Sequence, residues 1–164
     1  MNPSDNPFKT ADLYDVHEEA LQVCSPMFRH FGGHRAFHGP IATLKCFEDN
    51  SLVRELLGQS GQGRVLVVDA GGSLRCAMLG DQLARLGVDN GWAGVVMYGC
   101  IRDAVEIGQM PLGVMALATH PRKSVKRGVG EAGGSVAFAG VTFRPDEWLY
   151  ADEDGIVILD KPAA

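Results

Sequence analysis

Two short clusters in this chain carry the residue types needed for chemistry on a small anion. They are Gly80-Asp81-Gln82-Leu83 and Arg102-Asp103, with twenty residues between Asp81 and Arg102 and Glu106 three positions beyond Asp103. Leu83, Leu86 and Val88 recur on a helical period between Gln82 and Gly91, so Asp81 is expected to open a helix. Val95-Val96-Met97-Tyr98 reads as a strand that Gly99-Cys100 interrupts. Arg102 and Asp103 then fall just past a strand's C-terminal end, where open α/β sheets bind ligands. The first-turn N–H groups at Gln82 and Leu83 lack intrahelical partners and attract a carboxylate. Arg102 can clamp a carboxylate with two parallel bonds, and Asp103 can hold a hard divalent cation through oxygen. Together these groups suit a small 2-oxo acid bound with a metal ion.

Each residue also has a plainer use. Asp81 alone reads as a helix cap, a role compatible with orienting a catalytic water. Arg102 alone reads as a surface or ion-paired arginine, Asp103 as a turn residue and Glu106 as an exposed helical residue. The stretch from Gly71-Gly72 to Gly80 lacks the G-x-G-x-x-G order of a dinucleotide site, so its glycines are read as letting backbone approach a small ligand. His30, His34 and His38 repeat every fourth residue, but Gly32-Gly33 and Gly39-Pro40 argue against a helix that would stack them as metal ligands. Cys100 lies near the proposed site and reads as a small strand-end residue rather than a nucleophile.

Other elements frame these clusters. Thr10 or Asp12 is expected to cap a helix running toward Val16 to Leu21. Ile41 to Phe47 alternates like a strand, and Asp49-Asn50-Ser51 caps a helix that Gly58 ends. Arg64 to Ala70 is a Val-rich buried strand, and Leu112 to Ala118 is another. Residues 119–134 are basic and Gly-rich. Arg122-Lys123 and Lys126-Arg127 within them read as a solvated loop. Val136 to Phe143 and Trp148 to Tyr150 read as strands. Asp154-Gly155 reads as a hairpin turn before Ile156 to Leu159. The pattern predicts one layered α/β domain over residues 1–164, with 1–9 as a loose tail.

The bulk numbers exclude several classes. With 164 residues, 46 % of them hydrophobic, the chain can build a substantial core. A net charge of -5 argues against a general nucleic-acid binder. The four cysteines show no CxxC spacing, which suggests reduced thiols and a cytoplasmic protein. No apolar run is long enough to span a membrane, and the N-terminus lacks a signal-peptide pattern.

With Asp-x20-Arg-Asp in place, further segments resemble one family. They are Thr10 to Asp15, Lys45 to Asn50, Val65 to Gly72, Phe138 to Phe143 and Tyr150 to Ile156. The family contains the class II 4-hydroxy-4-methyl-2-oxoglutarate aldolases and the regulator of ribonuclease E activity A. The resemblance covers nearly the whole chain. It implies a three-layer ββα sandwich like the swivelling phosphohistidine domain, assembled as a homotrimer or a dimer of trimers. It implies Asp81 and Arg102 as catalytic residues. Gly80, Asp81, Gln82, Leu83, Arg102 and Lys126 would bind substrate, and Asp103 would hold Mg²⁺ or Mn²⁺. The implied reaction splits a 4-hydroxy-2-oxo dicarboxylic acid into pyruvate and a second keto acid, with oxaloacetate decarboxylation as a side activity. The other branch binds and inhibits ribonuclease E. Members of that branch can lose the second Asp, so Asp103 favours the aldolase.

Overall fold

The computed structural model describes residues 7–163. In chain order the elements are α1 (Thr10–His17), β1 (Gln22–Val23), β2 (Arg29–His30), β3 (Phe37–Lys45), α2 (Ser51–Leu57), β4 (Val65–Asp69), β5 (Ala77–Leu79) and α3 (Asp81–Asp89). There follow β6 (Gly94–Ile101), α4 (Ala104–Ile107), β7 (Gly113–Thr119), β8 (Glu131–Ala132), β9 (Val136–Phe138), β10 (Val141–Phe143), β11 (Trp148–Asp152) and β12 (Gly155–Leu159). The protein is α/β, with short helices and a curled, mostly continuous sheet.

The centre is a parallel run, β3-β4-β6-β7, with helices in the connections. Strands buried on both faces read as continuous apolar runs, and β4 (VLVVD) is of that kind. Their alternation divides the core in two. Leu44, Leu66, Val68, Val95, Met97 and Val114 face α2 and α3, where they meet Val53, Leu57, Leu83 and Ala84. Ile41, Val65, Val67, Val96 and Met115 face the opposite side, against Val136, Phe138, Phe143, Leu149 and Ile158 of a second β layer. The order of layers is therefore α, β, β. α1 lies outside the second layer, where Leu13 packs with Tyr150, Val157 and Leu159.

β3 makes the corner between the two β layers. Its Phe37–Pro40 half pairs antiparallel with β11, and its Ile41–Lys45 half pairs parallel with β4. Gly39 and Pro40 mark the switch. A Cβ on Gly39 would strike the Gly63 carbonyl, and Pro40 has no N–H to give to a ladder.

The structure differs from several sequence expectations. Val136 to Phe143 is a hairpin rather than one strand, because Ala139 and Gly140 both take left-handed φ, 54° and 75°, and reverse the chain between β9 and β10. The last hairpin turns at Glu153-Asp154, one residue earlier than expected, with Asp152 paired to Gly155. Thr10 starts α1 but does not cap it. Its N–H and hydroxyl both go to the Asp152 carboxylate, at 2.8 and 2.6 Å. Of the expected loose tail, residues 1–6 lie outside the described residues, while Phe8 packs edge-on against Tyr150 and His38 at 5.2 Å. No helix among the described residues is long and apolar enough to cross a membrane.

Candidate active site

β5 joins the two sequence clusters. This three-residue strand pairs parallel with the end of β6, Ala77 opposite Cys100 and Leu79 opposite Ile101. The Arg102 N–H then donates to the Leu79 carbonyl at 2.9 Å. The chain leaving β5 at Gly80 therefore lies beside the chain leaving β6 at Arg102, although twenty residues separate Asp81 from Arg102. α3 starts at Asp81, as the sequence suggested, but its cap is Gly80 and Asp81 is the first helical residue.

Asp103 is bent into this junction. Its backbone is left-handed, with φ 58° and ψ 42°, a costly state for a residue with a Cβ. Its carbonyl accepts the Ile107 N–H and starts α4, while its Oδ2 accepts the Asp81 N–H at 2.9 Å. The Asp103 carboxylate thus takes the first free N–H of α3, and those of Gln82 and Leu83 remain at the cleft wall. Gly80 is required here for space. A Cβ there would sit 2.8 Å from Asp103 Oδ2 and 3.6 Å from the Arg102 side chain.

These groups form one bank of an open cleft of about 550 Å³, part of it open to solvent. The strand-end bank consists of Gly80, Asp81, Gln82, Leu83, Arg102 and Asp103. The rest of the lining, a loop bank from the start of α2 and the basic segment, includes Asn50, Arg54, Lys123, Ser124 and Lys126. The sequence reading placed Lys126 here but missed the other four. Lys126 reaches Asn50 Oδ1 at 3.5 Å. Glu106 lies on the exposed face of α4 and does not line the cleft.

The loop bank is held by Asp49, which is only 3 % exposed. Its carboxylate accepts from Ser51 N–H and Oγ–H at 2.9 and 2.6 Å, and from the N–H groups of Arg127 and Val129 at 2.8 and 3.2 Å. Burial would raise the Asp49 carboxyl, but these four bonds outweigh it and hold the group at about 2. The basic segment read as a solvated loop is thus fastened to the mouth of α2. A further attachment is the Ala77 N–H, which donates to the Arg122 carbonyl at 2.7 Å.

Four cationic side chains, Arg54, Arg102, Lys123 and Lys126, face two carboxylates, Asp81 and Asp103. None of the six makes an ion pair among the described residues. An acidic chain has thus gathered uncompensated positive charge in one cleft. Cys100 is buried at 1 % exposure, and burial pushes its thiol up, away from a nucleophilic thiolate. The three histidines are held apart. His30 bonds the Asp152 carbonyl at 2.7 Å, His34 forms a bridge with Gly113, and His38 stacks on Tyr150.

The family model described as RraA-like, Aldolase/RraA, matches residues 10–158. The chain belongs to the RraA-like family. A relative from Laribacter hongkongensis, named "Putative 4-hydroxy-4-methyl-2-oxoglutarate aldolase", is 63 % identical over 94 % of this chain and 98 % of its own length. A relative of the same name from Alkalilimnicola ehrlichii is 61 % identical over 91 % and 92 %. Among solved structures, the RNA-processing inhibitor RraA from Thermus thermophilis aligns with a TM-score of 0.93 and 45 % identity, covering 96 % of this chain and 95 % of that one. A Geobacillus kaustophilus structure described as an S-adenosylmethionine: 2-dimethylmenaquinone methyltransferase aligns with a TM-score of 0.93 and 52 % identity, over 94 % and 96 %. RraA-like proteins thus carry three kinds of functional name on one fold, so the site must decide.

Proposed function

We propose that this protein is a divalent-cation-dependent aldolase that splits 4-hydroxy-4-methyl-2-oxoglutarate, and related 4-hydroxy-2-oxo acids, into pyruvate and a second keto acid. One observation carries the reading. Arg102, Asp103 and the first turn of α3 converge on one bank of a cleft with an excess of positive charge. That excess matches an anionic substrate and opposes a cationic sulfonium cofactor such as S-adenosylmethionine.

The donors present fit Mg²⁺ or Mn²⁺. No cluster of three His, Cys, Asp or Glu side chains that could hold a metal occurs among the described residues, which disfavours a closed zinc site. Asp103 keeps one carboxylate oxygen beyond the one bonded to Asp81 N–H, and hydrated hard cations are held by one or two carboxylates plus water and substrate. Asp103 is the residue that would hold the ion. When bound, the ion supplies Lewis-acid charge that favours the pyruvate enolate over the intact substrate.

The chain's own groups supply the rest. The pyruvoyl carboxylate meets the N–H groups of Gln82 and Leu83 and the Arg102 guanidinium. Asp81 orients a water that takes the proton from the 4-hydroxyl. The C3–C4 electron pair passes to C3 as the C4 hydroxyl becomes a carbonyl, and protonation at C3 then yields pyruvate. Oxaloacetate reaches the same enolate by losing CO₂, so decarboxylation follows as a side activity. Lys126 adds positive charge at the cleft mouth.

The 45 % identity to RraA favours a second reading, a regulator that binds ribonuclease E. A coupled pyruvate-release assay separates the two. The aldolase reading expects release that EDTA abolishes and Mg²⁺ or Mn²⁺ restores. It is overturned if metal-supplemented protein releases no pyruvate from any 4-hydroxy-2-oxo acid or oxaloacetate. Ribonuclease E inhibition that survives both EDTA and Asp103→Asn would support the regulator.

A further inference from the structure

We propose that Arg54 and Lys123 form a subsite for the carboxylate on the far side of the cleaved bond, and so select 4-hydroxy-2-oxo dicarboxylates over monocarboxylic analogues. The reaction class rests on the aldolase reading above; the subsite rests on the cleft itself.

The pyruvoyl head leaves part of the cleft's positive charge unused. That head occupies the strand-end bank, with Arg102 and the start of α3. Arg54 and Lys123 line the same cleft from α2 and the loop, and neither makes an ion pair among the described residues. With the six charged side chains counted, the cleft has two positive charges more than negative. A divalent cation on Asp103 would raise that excess further, so a dianion with its charges at opposite ends matches the cleft better than a monoanion does.

The positions are fixed independently. Arg54 lies midway along the seven-residue α2, with its backbone N–H bonded to the Asn50 carbonyl at 3.2 Å. Lys123 is set beside the strand-end bank by its bridge to Ala77. Arg102 Nη1 donates to the Pro121 carbonyl at 3.4 Å, so the loop carrying Lys123 also touches the residue that takes the pyruvoyl head. One small molecule can therefore reach both banks.

Ser124 supplies a second sign of a ligand. It lines the cleft, is 6 % exposed, and its Oγ is buried without a partner among the described residues. Buried hydroxyls in folded proteins are nearly always hydrogen-bonded. An oxygen-rich group held between Lys123 and Arg54 would bring an acceptor to this hydroxyl.

The test compares two 2-oxo acids that share a head and differ in the far end. Pyruvate has no distal carboxylate and 2-oxoglutarate has one. Their affinities are measured by calorimetry in Mg²⁺ for wild type, Arg54→Met, Lys123→Met and the double variant. Wild type is expected to prefer 2-oxoglutarate, and each variant to lose about tenfold more affinity for 2-oxoglutarate than for pyruvate. Pyruvate binding in the same samples reports that the variants are folded. A preference unchanged in the double variant, or a wild type with no preference or no binding of either acid, overturns the subsite. A wild type that shows the preference yet releases no pyruvate overturns the aldolase reading and leaves the subsite standing.

Discussion

The two banks of the cleft are built on different principles. The strand-end bank grows out of the sheet. β5 pairs parallel with the end of β6, Arg102 is locked to Leu79, and Asp103 is locked to the first N–H of α3. The loop bank grows out of a segment with little secondary structure, fastened by the carboxylate of Asp49. Groups that must meet reacting atoms gain from rigid elements, since small misplacements are costly. Groups that recognise a substrate's far end tolerate a loop on a scaffold. The contrast teaches that chemistry should fail when the first bank is disturbed, and selectivity or affinity when the second is.

The largest effect is expected at Asp103. Asp103→Asn keeps the size and an acceptor for Asp81 N–H but removes the anion, and turnover should fall at least about 100-fold with little change in melting temperature. Retained turnover with dependence on Mg²⁺ would remove Asp103 from the chemistry. Gly80→Ala comes next. The new Cβ would press on the Asp103 carboxylate and Arg102, and kcat should fall by roughly 10- to 100-fold. If Gly80→Ala kept the wild-type kcat, the tight junction between the two chain exits would not matter to the reaction.

The smallest effect on turnover, and the clearest on stability, belongs to the loop bank. Asp49→Asn removes the charge that holds four donors and sets an NH2 against backbone N–H, at Ser51 or at Arg127 and Val129, and should cost about 2 kcal/mol. In a chain of this length that is a fall of about 5 °C in Tm. The loss should appear in KM more than in kcat. The pH dependence has a defined sign. Asp49 is held near 2 in the folded protein against an ordinary 3.8, so its ionised form stabilises the fold above about pH 4. That contribution is lost as the pH falls toward 2. Melts of wild type and Asp49→Asn should therefore differ by a constant amount above pH 4 and converge below it. A gap that persists unchanged to pH 2 would show that Asp49 does not carry the loop through its charge.

The same contrast explains what the sequence made legible. The central strands announce themselves as Val-rich runs, and α3 by its apolar period. The strand-end cluster was therefore readable, with Arg102 and Asp103 placed past a strand and Asp81 at a helix start. β5 was not readable, because three residues, Ala77-Met78-Leu79, follow a turn-like stretch with no period to detect. The hairpin at Ala139-Gly140 was hidden because alanine seldom adopts positive φ. The loop bank was least legible. Its attachment runs from Asp49 to Arg127 and Val129, contacts across almost eighty residues that no local pattern records. Asp49 read only as a helix cap, and Lys123 only as part of a solvated charge run.

The central claim is that the strand-end bank by itself stabilises a pyruvate enolate. Exchange of the pyruvate methyl protons for deuterium, followed by proton NMR in D₂O with Mg²⁺, tests it without any distal group on the substrate. Wild type should exchange those protons, Asp49→Asn should retain most of the rate, and Asp103→Asn or EDTA should abolish it. Exchange at the wild-type rate in Asp103→Asn, or none in wild type with Mg²⁺ or Mn²⁺ present, would contradict the account.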